Sequence, residues 1–310
     1  MHGERPFRYS FVVLCACAVI SLYRVEACAQ ELEPRAYSVS PVNVNFVVWS
    51  YIYSSGDLAF DPTLPIENAR GQISNTNFAF GRSLGLLGRT SNFTAVLPYT
   101  SGTADGLLAG VPTHIYRSGL TDIRFRVAIN VVGAPAMNAK EFARREQKTL
   151  FGASLAVIAP TGQYDPNKVI NIGNNRWAFK PEVGLSQPFA KRWALDVYGG
   201  VWLFTDNKNF QGNVRSQAPM VSTQFHLVYN VKRSFWAALD ANFYAGGRTS
   251  INGIRNYDRQ NNSRIGGTVA IPLTRRHSLK AVYSRGAYVN IGGDFQTIGF
   301  AWQYLWGGGL

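Results

Sequence analysis

The chain has 310 residues, with 31 Lys and Arg against 18 Asp and Glu, so only 16% of it is charged while 13% is aromatic and 30 residues are glycine. That composition excludes collagen, coiled coil and disorder, and weighs against a soluble enzyme of two ordinary domains. No segment after residue 30 offers the ~18 consecutive apolar residues of a membrane helix, so the apolar content comes as short pieces.

Arg5 and Arg8 precede an uncharged apolar run from Phe11 to Leu22, and Ala27-Cys28-Ala29 sets small residues where a signal peptidase reads. Residues 1–29 are therefore expected to be a cleaved secretory signal. A run of about 12 apolar residues rises only about 18 Å as a helix, short of a bilayer core of about 30 Å. An acylated Cys28 is disfavoured by Arg24 and Glu26, which stand where small or apolar residues are wanted. Cleavage removes Cys15, Cys17 and Cys28, all the cysteines of the chain, and leaves 28 basic against 16 acidic residues, a net +12. Disulfides, thiolate metal sites and cysteine nucleophiles go with them. Residues 30–41 then make a short periplasmic N-terminal segment.

From there the dominant period is two, the signal of half-buried strands. It predicts twelve strands, at 42–53, 74–84, 92–99, 119–132, 149–160, 177–187, 193–204, 220–231, 235–244, 263–272, 277–285 and 294–306. The clearest sets Ile123, Phe125, Val127, Ile129 and Val131 against Asp122, Arg124, Arg126, Ala128 and Asn130. Connections after odd strands are long (54–73, 100–118, 161–176, 205–219, 245–262, with 286–293 shorter). Those after even strands are mostly short (85–91, 188–192, 232–234, 273–276), except 133–148, where Ala139 to Lys148 reads as a small charged helix. A parallel sheet is excluded by turns too short for crossovers, and a soluble sandwich has no reason to sort its loops this way. The predicted fold is all-β: an antiparallel up-and-down transmembrane β-barrel of about 12 strands over residues 42–306, with a C-terminal tail at 307–310, in the bacterial outer membrane.

The last strand supports this independently. Gln296, Ile298, Phe300, Trp302, Tyr304 and Trp306 share a face, and an aromatic near the chain end is the pattern recognised by the barrel assembly machinery; Gly307 to Leu310 follow it, where such signals usually end on the aromatic itself. A group of Trp and Tyr also suits a membrane boundary.

Leu32-Glu33-Pro34-Arg35-Ala36-Tyr37, Val96-Leu97-Pro98-Tyr99, Pro160-Thr161-Gly162-Gln163-Tyr164-Asp165-Pro166, Asn171-Ile172-Gly173-Asn174-Asn175-Arg176-Trp177 and Asp258-Arg259-Gln260-Asn261-Asn262-Ser263-Arg264 are phrases of a known kind. They resemble the outer-membrane family described as "MetA-pathway of phenol degradation", often called a transporter family, over nearly the whole mature chain. The resemblance implies a Gram-negative outer-membrane barrel linked to uptake of aromatic or other hydrophobic compounds.

Residues that would carry chemistry are sparse. Mature histidines are His114, His226 and His277. A barrel lipase needs Ser and His within hydrogen-bond reach on the lipid side, whereas His226 shares its face with Ser222, Gln224 and Asn230, which makes it a lumen residue. Asp57, Asp61, Glu67 and Asp165 lack the spacing of a calcium loop, and the paired glycines are not followed by helices. No catalytic residue, metal or cofactor is expected, and no nucleic acid: the positive balance has a plainer partner in lipopolysaccharide phosphate, beside outer-membrane lipid.

Carrying the alternation through each strand turns Arg124, Arg126, Lys180, Arg264 and Lys280 inward beside Asp122, Glu182, Asp196 and Asp240, five cations facing four anions. That near-balance predicts internal pairing around a weakly charged solute rather than strong anion selectivity. Tyr198 and Trp202 share the phase of Asp196, as Trp236 and Tyr244 share that of Asp240, and they offer either a stacking path or a plug. About twelve strands leave a narrow passage at most. The sequence therefore reads as a channel for passive uptake of small hydrophobic or aromatic solutes; the alternative is a non-conducting structural or surface-interaction barrel. Oligomeric state is not legible.

Overall fold

The computed structural model describes residues 32–57, 66–168, 170–232, 234–291 and 294–309. The expected signal at 1–29 lies outside the described residues. The strands are β1 (Val44–Asp57), β2 (Ile66–Leu86), β3 (Arg89–Leu108), β4 (Val111–Leu120), β5 (Arg124–Val132), β6 (Leu150–Ile158), β7 (Ala178–Ala190), β8 (Trp193–Phe204), β9 (Asn207–Phe210), β10 (Asn213–Gln217), β11 (Met220–Lys232), β12 (Phe235–Gly246), β13 (Thr249–Ile251), β14 (Ile254–Arg255), β15 (Gln260–Pro272), β16 (His277–Val289) and β17 (Phe295–Gly307).

Thirteen of these form one antiparallel sheet that closes on itself, since β1 pairs with both β2 and β17 and β2 also pairs with β3. β4 and β5 are two parts of one stave, broken at 121–123 and both paired to β3, so the barrel has twelve staves. All twelve predicted strands correspond to a stave, and closure leaves no open edge for lipid to meet. The alternation does what the sequence says: Phe125 and Val127 are 37% and 46% exposed, while Ala128 and Asn130 are buried inward. The first stave begins and the last stave ends beside the tight turns, at the periplasmic end of an outer-membrane β-barrel.

Several connections depart from expectation. Residues 100–118, expected as a loop, continue the sheet: β3 runs on to Leu108 and returns as β4 through Ala109-Gly110, both at positive φ (50° and 79°), the geometry of a type I′ hairpin turn. The stretches 205–219 and 245–262 contain β9, β10, β13 and β14, which form a second, four-stranded sheet on the outer side. The helix expected to reach Lys148 is only α1 (Ala139–Arg144): Asn138 and Glu141 cap its start reciprocally, and Arg145 already turns extended, its guanidinium donating to the Gly133 carbonyl at 3.1 Å.

Candidate functional site: the barrel lumen

The lumen is divided. Its periplasmic half is occupied on the β6–β12 side by residues 32–41, a segment expected merely to precede the barrel. Ser83 Oγ donates to the Pro41 carbonyl at 2.5 Å and accepts from Val44 N–H at 3.0 Å, which tethers the segment at the rim. From there it climbs inside. Tyr37 is 2% exposed; its hydroxyl meets Ser154 Oγ at 3.0 Å and Glu182 Oε1 at 3.2 Å, and its ring packs edge-on against Tyr198 at 5.1 Å. Arg35 N–H donates to Asp196 Oδ2 at 3.0 Å, its guanidinium to Asn230 Oδ1 at 2.9 Å, and the same group lies over the Trp236 ring. Ala36 N–H donates to the Tyr198 hydroxyl at 3.2 Å, and Glu33 N–H to Gln224 Oε1 at 3.0 Å.

A slot cut into the wall makes room for Tyr37. Gly152 and Gly184 stand opposite each other in the β6–β7 register, and a Cβ on either would run into the Tyr37 ring. Glycine is used here for close approach rather than for a turn.

Above the segment is a cavity of about 710 Å³. Among its lining residues are Asp122, Arg124, Arg126, Lys180, Trp202, Asp240 and Lys280, with Leu32 and Glu33 at its floor. Glu182, Asp196, Tyr198, His226 and Arg264 also face inward but lie buried in contacts beside it. The β17–β1–β2–β3 wall carries no charge in this cavity; it presents Phe46, Val48, Ile52, Ala79 and Val96 among Ser, Thr and Asn side chains.

Each inward acid is engaged. Asp122 accepts from Gly162 N–H at 2.9 Å and from Asn174 N–H and Nδ2 at 2.9 and 3.0 Å, so it fastens the 159–177 loop over the lumen rather than facing a free passage. In that loop the Asn167 N–H, followed by Lys168, holds the Asp165 carboxyl below the usual carboxylate range. Tyr164 donates to the Asn209 carbonyl of β9, and Asn207 of β9 donates to the Tyr164 hydroxyl and the Asn174 carbonyl, which knits this loop to the outer sheet. Glu182 pairs with Lys180 Nζ at 3.2 Å and lies 3.7 Å from Arg126. Asp240 meets His226 Nδ1 at 2.7 Å and accepts from Thr268 Oγ1 at 2.6 Å. His226 thus stands between Asp196 and Asp240 in the strand register. Ser222 is four residues away on the same strand face, about 13 Å along a strand, so no Ser–His pair forms.

The aromatics do not make an open stacking path. Tyr198 and Trp236 hold the N-terminal segment, while Trp202 and Tyr244 are buried together with Met220 and Ala178. Arg264 stacks on Phe295 and donates to Ser284 Oγ at 3.1 Å. Sequence reasoning missed segment 32–41; the signal available was an inward-phase Gly pair at 152 and 184 facing a short run, Arg35-Ala36-Tyr37, rich in contact-making side chains.

Residues 56–304 match the family model described as "Putative MetA-pathway of phenol degradation". The fold is similar to the COG4313 outer membrane channel from Pseudomonas putida F1, at 20% identity and TM-score 0.77, covering 89% of this chain and 100% of that one. It is also similar, more distantly, to the transport unit of the autotransporter AIDA-I from Escherichia coli, at 10% identity and TM-score 0.50, covering 87% and 94%. Among curated protein sequences none matches this chain.

Proposed function

This chain belongs to the MetA-pathway phenol-degradation family, and we propose that it is a passive outer-membrane channel for small hydrophobic or aromatic compounds. The observation that carries the reading is the 710 Å³ cavity walled on one side by apolar and neutral side chains, inside a closed barrel whose outer face is dressed for lipid. Such a chamber lets a small apolar solute leave water without unmaking any hydrogen bond of the wall. The inward residues named from the sequence take different roles in it: Arg124, Arg126, Lys180, Trp202 and Lys280 face the solute, Asp122 holds the cover, and Glu182, Asp196, Tyr198, His226, Asp240 and Arg264 shape and brace the interior. Lipopolysaccharide phosphate and the barrel assembly machinery are the further partners that the basic surface and the aromatic last strand support.

The segment at 32–41 favours a second reading, a non-conducting barrel. Uptake of labelled toluene and phenol by a porin-poor host separates the two. Expression of the folded protein raises uptake in the channel reading; unchanged uptake from a correctly inserted barrel sinks it.

A further inference from the structure

By number the inward charges nearly balance, but they do not balance by access. The four inward acids are all spoken for by the contacts above. Of the five cations, Lys180 pairs with Glu182, Arg126 lies by Glu182 and donates to the Ala36 carbonyl at 3.3 Å, and Arg264 is folded against Phe295 and Ser284. Arg124 and Lys280 remain. Neither side chain has a hydrogen-bond or ion-pair partner among the described residues, and the Arg124 Nε is buried and unsatisfied. Both line the cavity. Glu33, brought in by the N-terminal segment, lines the same cavity, so these two cations face one further acid there.

The strand register shows what lies between these two cations. Val48, Ala79, Val96 and Arg124 stand opposite one another on β1, β2, β3 and β5, so an apolar row two strand spacings wide, about 10 Å, ends at a free guanidinium. On the other flank Lys280 stands opposite Ala301, and Ala301 opposite Ser50 of β1. A neutral hydrocarbon uses the row and leaves both cations unanswered. A solute with one apolar end and one carboxylate uses all of it: the body lies along Val48, Ala79 and Val96, and the head accepts from the planar fork of Arg124.

We infer that the lumen holds a binding site for amphipathic carboxylates, aromatic or short aliphatic acids, with Arg124 and Lys280 as the head-group residues. The inference rests on the uptake reading for the route by which the solute arrives, and names its chemical class. The test uses a neutral and an anionic compound of the same shape, 4-phenylbutyramide and 4-phenylbutyrate. Calorimetry on the purified full-length barrel is expected to give about tenfold tighter binding of the acid than of the amide, the scale of one charge-assisted hydrogen bond. Arg124→Gln with Lys280→Gln should reduce that preference to about twofold or less, whereas Arg124→Lys with Lys280 intact should keep most of it. The wild-type comparison needs no variant, so poor folding of the double variant, read by heat-modifiable migration, leaves the test standing. Equal wild-type binding of acid and amide overturns the proposal while uptake of neutral compounds stands. Absence of toluene and phenol uptake by the inserted barrel overturns the uptake reading instead, and the binding ratio still decides the site.

Discussion

Freeing the N-terminal segment from the lumen should open a second conductance level, and the structure says how strongly. The Tyr37 ring is buried in the Gly152–Gly184 slot, so Tyr37→Ala removes a buried aromatic, a loss of about 3–5 kcal/mol for such truncations. That shifts the docked-to-free ratio by roughly two to nearly four decades. Tyr37→Phe keeps the ring and forfeits only the bonds to Ser154 and Glu182, so it should shift the ratio by about tenfold. Gly184→Ala attacks the same contact from the wall, because its Cβ occupies the space of the ring. Deleting residues 32–40 sets the limit, with the Pro41 and Val42 tethers kept. In planar bilayers the deletion should give a steady higher conductance. Tyr37→Ala and Gly184→Ala should flicker between two levels, and Tyr37→Phe should reach the upper one rarely. A single level, identical in all five proteins with the wild type included, would falsify the view that this segment is the obstruction.

Phe125→Arg with Val127→Arg places two cations on the lipid face, at about 2–4 kcal/mol each near the midplane, and should lower the heat-modifiable folded fraction; Arg124→Gln with Arg126→Gln should spare insertion, and the reverse outcome would mean a register error of one residue. Trp302, Tyr304 and Trp306 stack in sequence and His277 joins them, so Tyr304→Ala with Trp306→Ala should reduce the amount of assembled barrel more than deletion of 307–310; equal losses would count against an assembly role for the aromatics. Asp122→Ala strands three N–H donors of the 159–177 loop, at about 1–3 kcal/mol for each that stays buried, and should make that loop sensitive to protease added to intact cells, while unchanged resistance would show that the loop is held elsewhere.

The staves were legible because lipid on one side and a lumen on the other impose opposite demands on successive residues, and Asp122 to Val131 obeys them without a fault. Loops were legible only as lengths. Nothing in the period of 100–118 separates a loop from a hairpin that continues its parent strands beyond the membrane, since both faces there meet water. The α1 end was missed because charge composition does not mark where Arg145 leaves the helix for Gly133. Inward phase was legible too, but phase is silent on engagement. Asp122 and Arg124 are equivalent in the alternation, yet one carboxylate is saturated by backbone donors arriving from residues 162 and 174 and one guanidinium is left unmatched.

That difference bears on how a barrel of this size avoids being a solid plug of its own side chains. Twelve staves enclose more space than the inward residues of β1, β2 and β3 fill, because Ser, Asn, Ala and Gly recur there, and at Gly81 the Phe46 ring lies across the missing side chain. The opposite wall is packed through ion pairs and buried aromatics and is stiffened by them. Rigidity on the β7–β12 side and vacancy on the β17–β3 side are therefore two consequences of one distribution of residue types. The N-terminal segment consumes the lower part of the vacancy by bonding to the stiff wall: Tyr198, Asp196, Gln224 and Asn230 all lie on β8 and β11. A solute in the upper part thus meets an apolar surface along β1, β2 and β3, flanked by Arg124 on β5 and Lys280 on β16. Only a molecule that is itself two-sided satisfies both, which is why the free cations, rather than the total charge, set what the lumen selects.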